Sequence, residues 1–355
     1  MLKVLIVGAG SIGNHLAHAC RNQNWEVHIT DIDQAALERM RREIYPVRYG
    51  AWDAEIVQHS HFPEKTRWDA VIVGTPPDTH IRVAIEVLSR CQTGVLLIEK
   101  PLTVPGCNDV SRLETLLKLK KVRGLVGFNH NVTANTLFMA ELVAQDIIGR
   151  PTRIEVDWLE SWEGIFAAHP WLNGPADSYL GYQARGGGAL CEHSHAIAMW
   201  LHLVDLLDIK ESFEFTASAK MLVADPLSYD QETQVSMRWA GGLVGRIRQD
   251  VSTFPAVKRA SIIGESGYIQ WATNEKNSVD VVRWSNEEGR LEVKEFPKTR
   301  PDDFVNEVKM IETAVKNQTS LSTAIDFSMG LRVARFTDLI IESAKTGATQ
   351  ISTQI

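Results

Sequence analysis

Three glycines and one carboxylate near the amino terminus are the residues whose types and spacing point most directly to chemistry. Residues 1–13 read Met-Leu-Lys-Val-Leu-Ile-Val-Gly-Ala-Gly-Ser-Ile-Gly, an apolar strand running into a Gly-x-Gly-x-x-Gly turn. That order suits the diphosphate of a dinucleotide. Gly8 permits the tight strand-to-helix turn, Gly10 lets the backbone approach the phosphates, and Gly13 lets the helix pack closely on the strand. The orphan backbone N–H groups of the helix start, around Ser11 and Ile12, then face the anion. A second apolar strand, Val27-His28-Ile29-Thr30, stops at Asp31, eighteen residues past Gly13. An acid there accepts hydrogen bonds from the adenosine ribose and repels a 2′-phosphate, which favours NAD over NADP. Helix capping is the competing role for Asp31 and Asp33; the ribose role falls to Asp31 and the cap of a helix over residues 34–44 to Asp33.

The elements that must hold these residues alternate along the first 121 positions. Strands are expected over 3–7, 26–30, 70–73 and 95–98, with helices beginning near Gly13, Gln34, His80 and Asp109, the pattern of a doubly wound parallel sheet. Ligands bind beyond the carboxyl ends of such strands. The run Gly74-Thr75-Pro76-Pro77-Asp78-Thr79-His80 and the turn Glu99-Lys100-Pro101, each directly after a strand, therefore line the cofactor crevice. A further strand over 122–129 and a helix over 136–148 follow. Beyond them, alternating segments at 233–239, 243–248, 261–271 and 279–284 predict antiparallel strands with one face covered, and helices over 303–316 and 323–345 close the chain.

The fold class expected is α/β: an amino-terminal Rossmann domain over 1–125 and a carboxyl-terminal α/β domain over 126–355 with an open-faced, mainly antiparallel sheet. A chain of 355 residues suits two such cores. The net charge of −7 and the absence of a Lys/Arg-rich block argue against nucleic-acid binding. The longest apolar runs are strand-sized, too short for a bilayer, and strand one leaves no room for a signal peptide, so a cytoplasmic protein is expected. Cys20, Cys91, Cys107 and Cys191 show no C-x-x-C spacing, which predicts neither disulfides nor structural zinc.

Taken together, the motifs resemble the Gfo/Idh/MocA family of nicotinamide-dependent oxidoreductases along nearly the whole chain. The resemblance rests on the glycine turn, Gly74 to His80, Glu99-Lys-Pro-Leu102, Val126-Gly-Phe-Asn129, Gly149, the run Gly186-Gly-Gly-Ala-Leu-Cys-Glu-His-Ser-His195 and Ile263-Gly-Glu-Ser-Gly267. It implies an NAD-dependent dehydrogenase acting on a secondary hydroxyl of a sugar, cyclitol or nucleotide sugar, and a homodimer or homotetramer formed through the open sheet. It also implies that Lys100 lies beside the nicotinamide and the substrate hydroxyl, where a neighbouring positive ring lowers a lysine's pKa toward a proton-shuttling range. Some relatives instead use transient oxidation to cleave glycosides, and a few are non-catalytic sensors.

Hydride transfer needs a group that handles the hydroxyl proton and contacts that orient the substrate. Lys100 is the first candidate; Glu99 is expected to fix the turn or touch the cofactor, and Pro101 to shape the turn. If a helix has begun by Glu192, then Glu192 and His195 share a face at i, i+3 while His193 points elsewhere. His195 is assigned the second acid/base or orienting role, with Glu192 as its partner or as an acceptor for substrate hydroxyls. The preceding triple glycine is expected to let the backbone approach a ligand. Cys191, Glu192, His193 and His195 cannot all converge from one short stretch, so no metal is expected. Ala196 and Ala198 stand where the family pattern carries acids. Trp158, His169, Trp171, Tyr182 and Arg185, with His130, suit a sugar surface and an anionic substituent, though core packing or an oligomer interface explains the tryptophans equally well.

Overall fold

The computed structural model describes residues 1–167, 169, 171–276, 278–285, 288–317 and 323–352. Its contacts divide the chain into two units. The first comprises Met1–Thr103, Cys107–Asn129 and Thr299–Gly330, and the second Val104–Gly106, His130–Lys298 and Leu331–Ile355.

In the first unit the chain runs β1 (Lys3–Val7), α1 (Ser11–Asn22), β2 (Glu26–Thr30), α2 (Gln34–Arg39), α3 (Tyr45–Tyr49), β3 (Ile56–His59), β4 (Arg67–Val73), α4 (His80–Arg90), β5 (Gln92–Ile98), α5 (Val110–Lys120) and β6 (Arg123–Val126). The six strands are parallel in the order β3-β2-β1-β4-β5-β6. The order reverses between β1 and β4, the point where doubly wound sheets bind ligands. Val4, Leu5 and Ile6 are fully buried, as are Ala70 to Val73, because helices cover both faces of a parallel sheet and leave no polar alternation. β3 lay outside the expected strands: only Ile56 of its four residues is buried, so an edge strand of this kind carries little pattern.

The second unit continues with α6 (Ala134–Ala144), β7 (Pro151–Leu159), α7 (Glu163–Ala167), α8 (Gly188–Glu192), α9 (His195–Leu206), β8 (Phe213–Ala224), β9 (Leu227–Trp239), β10 (Val244–Asp250), β11 (Val257–Gly264), β12 (Tyr268–Lys276), β13 (Val279–Ser285) and β14 (Leu291–Pro297). After them come α10 (Arg300–Lys316), α11 (Phe327–Thr346) and β15 (Gln350–Ser352). The sheet has nine strands in the order β14-β13-β12-β11-β7-β10-β9-β8-β15. Only β7 and β10 run parallel; the other neighbours are antiparallel. The single stretch expected at 261–271 is two strands, because a turn closes it where the N–H of Gly264 donates to the Gly267 carbonyl at 2.8 Å. Ile154, Val156 and Trp158 on β7 point to the side covered by α9. On the other side Asp157 accepts from Nε of Arg248 at 2.7 Å and of Arg259 at 2.8 Å, each directly opposite it in register. Burial works against its charge, but the two guanidinium groups hold this carboxyl below its ordinary value.

The division expected at 125/126 lies near Asn129, but Thr299–Gly330 returns to the first unit instead of extending the second. The start of α10 explains this. Asp302 accepts from the Thr299 N–H at 2.6 Å in a capping box, and the buried Phe304, Val308 and Ile311 form an apolar stripe at helical spacing. That stripe packs α10 on α1, β4 and β5, with the Phe304 ring stacked on His15 at 4.6 Å.

The β1–α1 turn tolerates no side chain at two positions. Gly8 has φ +114°, and a Cβ on it would lie 2.6 Å from the Gly74 carbonyl oxygen; a Cβ on Gly13 would lie 2.0 Å from that of Gly8. Gly13→Ala is therefore expected to destabilise the first unit by about 2–4 kcal/mol, read as a lowered urea midpoint.

Candidate functional site

Gly10 is the N-cap of α1 and no side chain caps this end. Unlike Gly8 it has ordinary extended torsions, φ −75° and ψ −165°, and unlike both Gly8 and Gly13 a Cβ on it would meet nothing within 4 Å. Beyond the ordinary preference for glycine at an N-cap, the chain's own packing does not require glycine here, and the open space leaves room for close approach by a bound group. The first-turn amides of Ser11, Ile12 and Gly13 face an anion at such a helix end. Arg48 on α3 adds positive charge, donating from Nη1 to the Ser11 carbonyl at 3.0 Å and from Nη2 to its hydroxyl at 2.8 Å. Nothing in the spacing of the sequence marked Arg48, which reaches the turn only through the tertiary fold.

Asp31 is tied to the same turn. Its Oδ2 accepts from the Ala9 N–H at 2.7 Å and its Oδ1 from the Asp33 N–H at 2.9 Å. An ionised carboxylate offers about four acceptor directions, so capacity remains for ribose hydroxyls. Asp33 accepts from the Ala35 N–H at 2.9 Å as the N-cap of α2, the capping role expected for it.

Thr75, Pro76, His80, Glu99 and Lys100 all follow the carboxyl ends of β4 and β5. Hydrogen bonds from the Gly74 N–H to the Val7 carbonyl and from the Glu99 N–H to the Val73 carbonyl, both 2.9 Å, carry the strand register into the two turns. The Thr79 hydroxyl donates to Thr75 Oγ1 at 2.7 Å, and Pro76 leads into the short helical turn Pro77–Thr79. Glu99 is buried, with its carboxylate against Gly127, where a Cβ would come within 2.9 Å. The Lys100 N–H lies 3.3 Å from Glu99 Oε2, so Glu99 braces its own turn while Lys100 is partly exposed. Glu307 on α10 is fully buried, and both its oxygens are without hydrogen-bond partners among the described residues. Burial first, then the Glu99 and Asp303 charges, push this carboxyl well above its ordinary value.

In the second unit, the expectation that Glu192 and His195 share one helix is corrected. α8 ends at Glu192 and α9 begins at His195, with His193 and Ser194 between them. Glu192 accepts from the Tyr179 hydroxyl at 2.8 Å. His195 stacks on Trp158 at 5.4 Å and 22°, and His130 meets both rings edge-on at 4.9 Å. Trp158 is only 1% exposed and also stacks on Trp271 at 6.1 Å, so it supports His195 and presents no open face to a sugar. Lys258, which the sequence did not single out, lies 5.6 Å from the Trp158 ring centroid and pairs with Glu160 at 2.8 Å.

The other expected contacts form separate groups. His169 Nδ1 lies 2.6 Å from the Ile165 carbonyl oxygen, and its ring meets Trp171 edge-on at 5.1 Å. Arg185 lies 5.8 Å from the Tyr182 ring centroid, and the Tyr182 hydroxyl donates to the Ala176 carbonyl at 3.2 Å. Trp162 belongs to a small core with Leu180, Ala189, Tyr229 and Val251. His193 is buried.

Two buried polar side chains impose the break between α8 and α9. Asp230 on β9 accepts from the Leu190 N–H and the Thr233 hydroxyl, both at 2.8 Å, and stands 2.0 Å from where a Cβ on Gly188 would lie. Gly188 has φ +85°, and a Cβ on Gly187 would meet the Leu180 carbonyl oxygen at 2.2 Å. These two glycines thus serve internal packing, not the ligand approach expected from the sequence. At the other end of α8, Gln249 Nε2 donates to the His193 carbonyl at 2.8 Å and lies 3.2 Å from that of Leu190. Among the described residues no group of three or more His, Cys, Asp or Glu could hold a metal ion, and no helix is long and apolar enough to cross a membrane.

Comparison with known proteins meets this geometry at the glycine turn. Residues 2–128 match the GFO_IDH_MocA oxidoreductase family, described by its NAD-binding Rossmann fold. Over this stretch the chain is similar to that family's NAD-binding domain. A curated relative, an uncharacterised oxidoreductase of Synechocystis sp., is 27% identical over 135 residues, a match spanning 37% of this chain and only about a third, 34%, of that relative. Solved structures extend the likeness of fold beyond residues 2–128. Levoglucosan dehydrogenase in complex with NADH and levoglucosan is 18% identical with a TM-score of 0.77, covering 100% of both chains. The WlbA dehydrogenase of Bordetella pertussis, in complex with NADH and UDP-GlcNAcA, is 21% identical with a TM-score of 0.69 over 98% of each chain. GenD2 from gentamicin A biosynthesis, in complex with NAD, is 19% identical with a TM-score of 0.74 over 99% of this chain and 97% of its own.

Burial pushes the Asp230 carboxyl up from 3.8 to about 6, against the hydrogen bonds it accepts. The folded chain therefore holds this proton more tightly than the unfolded chain, and the stability so gained is lost as pH rises from about 4 to about 6. Asp230→Ala strands the Leu190 N–H and the Thr233 hydroxyl and is expected to cost about 2–4 kcal/mol near neutral pH. Urea titrations at several pH values should show that cost, together with loss of the wild-type slope between pH 4 and 6.

Proposed function

We propose that the protein is an NAD-dependent dehydrogenase or reductase that moves a hydride between nicotinamide and a secondary hydroxyl or ketone carbon of a sugar, cyclitol or nucleotide-sugar-like compound. The observation that carries the reading is Gly10, the one glycine of its turn that internal packing does not require. When bound, the nicotinamide supplies the hydride acceptor or donor. The α1 amides and Arg48 bind the diphosphate, and Asp31 accepts from the ribose diol while disfavouring a 2′-phosphate. Lys100 takes or returns the proton of the reacting hydroxyl, on a turn braced by Glu99. His195, backed by Trp158 and His130, and Glu192, hydrogen-bonded to Tyr179, orient the substrate. The choice of substrate class is supported by the full-length fold likeness to levoglucosan dehydrogenase and to WlbA, whose complexes hold levoglucosan and UDP-GlcNAcA.

Gly10→Ala is expected to lower the urea midpoint only slightly, by the N-cap preference of about 0.5–1 kcal/mol, because its methyl enters open space, and to weaken NADH binding at least about tenfold by blocking close approach to the phosphates. Equal NADH affinity by fluorescence titration would remove the reading's main support. On a panel of sugars, polyols and nucleotide sugars, Lys100→Met should lower turnover by about 10²-fold or more with NADH affinity held within a few-fold. Wild-type protein that releases free sugar from glycosides with no net change in nicotinamide absorbance would point to hydrolysis by transient oxidation. NADH binding with no turnover across the panel would point to a sensor.

A further inference from the structure

His80 opens α4 and is 1% exposed. Its ring lies between two backbone carbonyls: Nε2 is 2.7 Å from the oxygen of Thr75, and Nδ1 is 2.9 Å from the oxygen of Pro101. Carbonyl oxygens only accept, and a neutral imidazole has one N–H and one bare lone pair. Both contacts are hydrogen bonds only when both ring nitrogens carry protons. In either neutral tautomer one lone pair faces a carbonyl lone pair at hydrogen-bond distance. The two carbonyls belong to different turns, one after β4 and one after β5, and the second turn carries Lys100.

We propose that His80 is a positioning residue: its doubly protonated ring straps the Thr75 turn to the Pro101 turn, and loss of either proton frees one carbonyl and lets Lys100 shift. The charged groups that act on the ring among the described residues are Asp78, on the turn before α4, which favours the imidazolium, and Lys100, which disfavours it. Burial also disfavours the charge and is the largest influence, lowering the ring's pKa from its ordinary value. The two carbonyls and Asp78 oppose it, so the strap closes at low pH and opens as pH rises. The effect on turnover rests on the role proposed for Lys100; the protonation state of the ring does not.

Nitrogen-15 NMR of the histidine rings in the full-length chain, with His80 assigned through its backbone, tests the strap without any substrate. Two protonated ring nitrogens on the acidic side, giving way to one as pH is raised from about 4 to about 7, is the expected result, because burial lowers the ring's pKa. A ring carrying a single proton throughout that range overturns the proposal. The kinetic arm uses His80→Gln, whose amide cannot replace both ring donors in place. It is expected to bind NADH within about threefold of wild type, to lower kcat about tenfold with little change in KM, and to lack the limb of the kcat–pH profile that coincides with ring deprotonation. A variant that retains the wild-type limb overturns the coupling to Lys100. If no substrate on the panel is turned over, the dehydrogenase reading fails while the NMR result on the strap still stands.

Discussion

How closely α1 seats on the turn before it governs what the first unit can offer a ligand. The Gly8 carbonyl comes so near Gly13 that a single methyl group would stand 2.0 Å from it, and the Gly8 N–H is held by the Thr30 carbonyl at 2.9 Å. The turn is thus fixed to α1 on one side and to the end of β2 on the other. From that seating follow the direction of the first-turn amides, the hydrogen bond from Ala9 to Asp31, and the reach of Arg48 to Ser11. The first-turn amides, the Asp31 carboxylate and the Arg48 guanidinium are all tied to this turn, so a shift of α1 displaces all three. α10, packed on α1, supports that seating from a segment far away in sequence.

The second unit is organised by buried polar groups. A short helix leaves its first N–H groups and last carbonyls unpaired, and burying them unsatisfied costs free energy. Asp230 and Gln249, on neighbouring strands, serve the two ends of α8. With α8 so held, the chain breaks at His193–Ser194 and restarts as α9, and this sets His195 against Trp158. The tryptophan's large apolar face is used to orient an imidazole, and the ring pair lies at the carboxyl end of β7, close to the Lys258–Glu160 pair.

Two buried titratable groups in the first unit show how the same low-polarity surroundings act in opposite directions. Glu307 has no hydrogen-bond partner among the described residues and faces two other acids, so its pKa is pushed up. His80 faces two acceptors, which oppose without outweighing the pull of burial against its charge. The difference lies in the partners each ring or carboxyl meets, which composition does not reveal.

Local spacing by itself determined the glycine turn, the strands at the centre of the parallel sheet, the Asp33 cap of α2, and the placement of Thr75 to His80 and Glu99 to Lys100 after strand ends. Each depends on residues a few positions apart, where steric limits and the helical or strand period act directly. Only the tertiary structure decided that Thr299–Gly330 completes the first unit, that Glu192 and His195 stand on different helices, that Trp158 is enclosed, and that Arg48, Asp230, Gln249 and Lys258 matter. Those outcomes rest on hydrogen bonds and packing between distant residues: Arg48 meets Ser11 across 37 positions, Asp230 meets Leu190 across 40, and Gln249 meets His193 across 56. No periodicity encodes such pairs, because which buried donor finds which acceptor is settled only when the sheets and helices have packed.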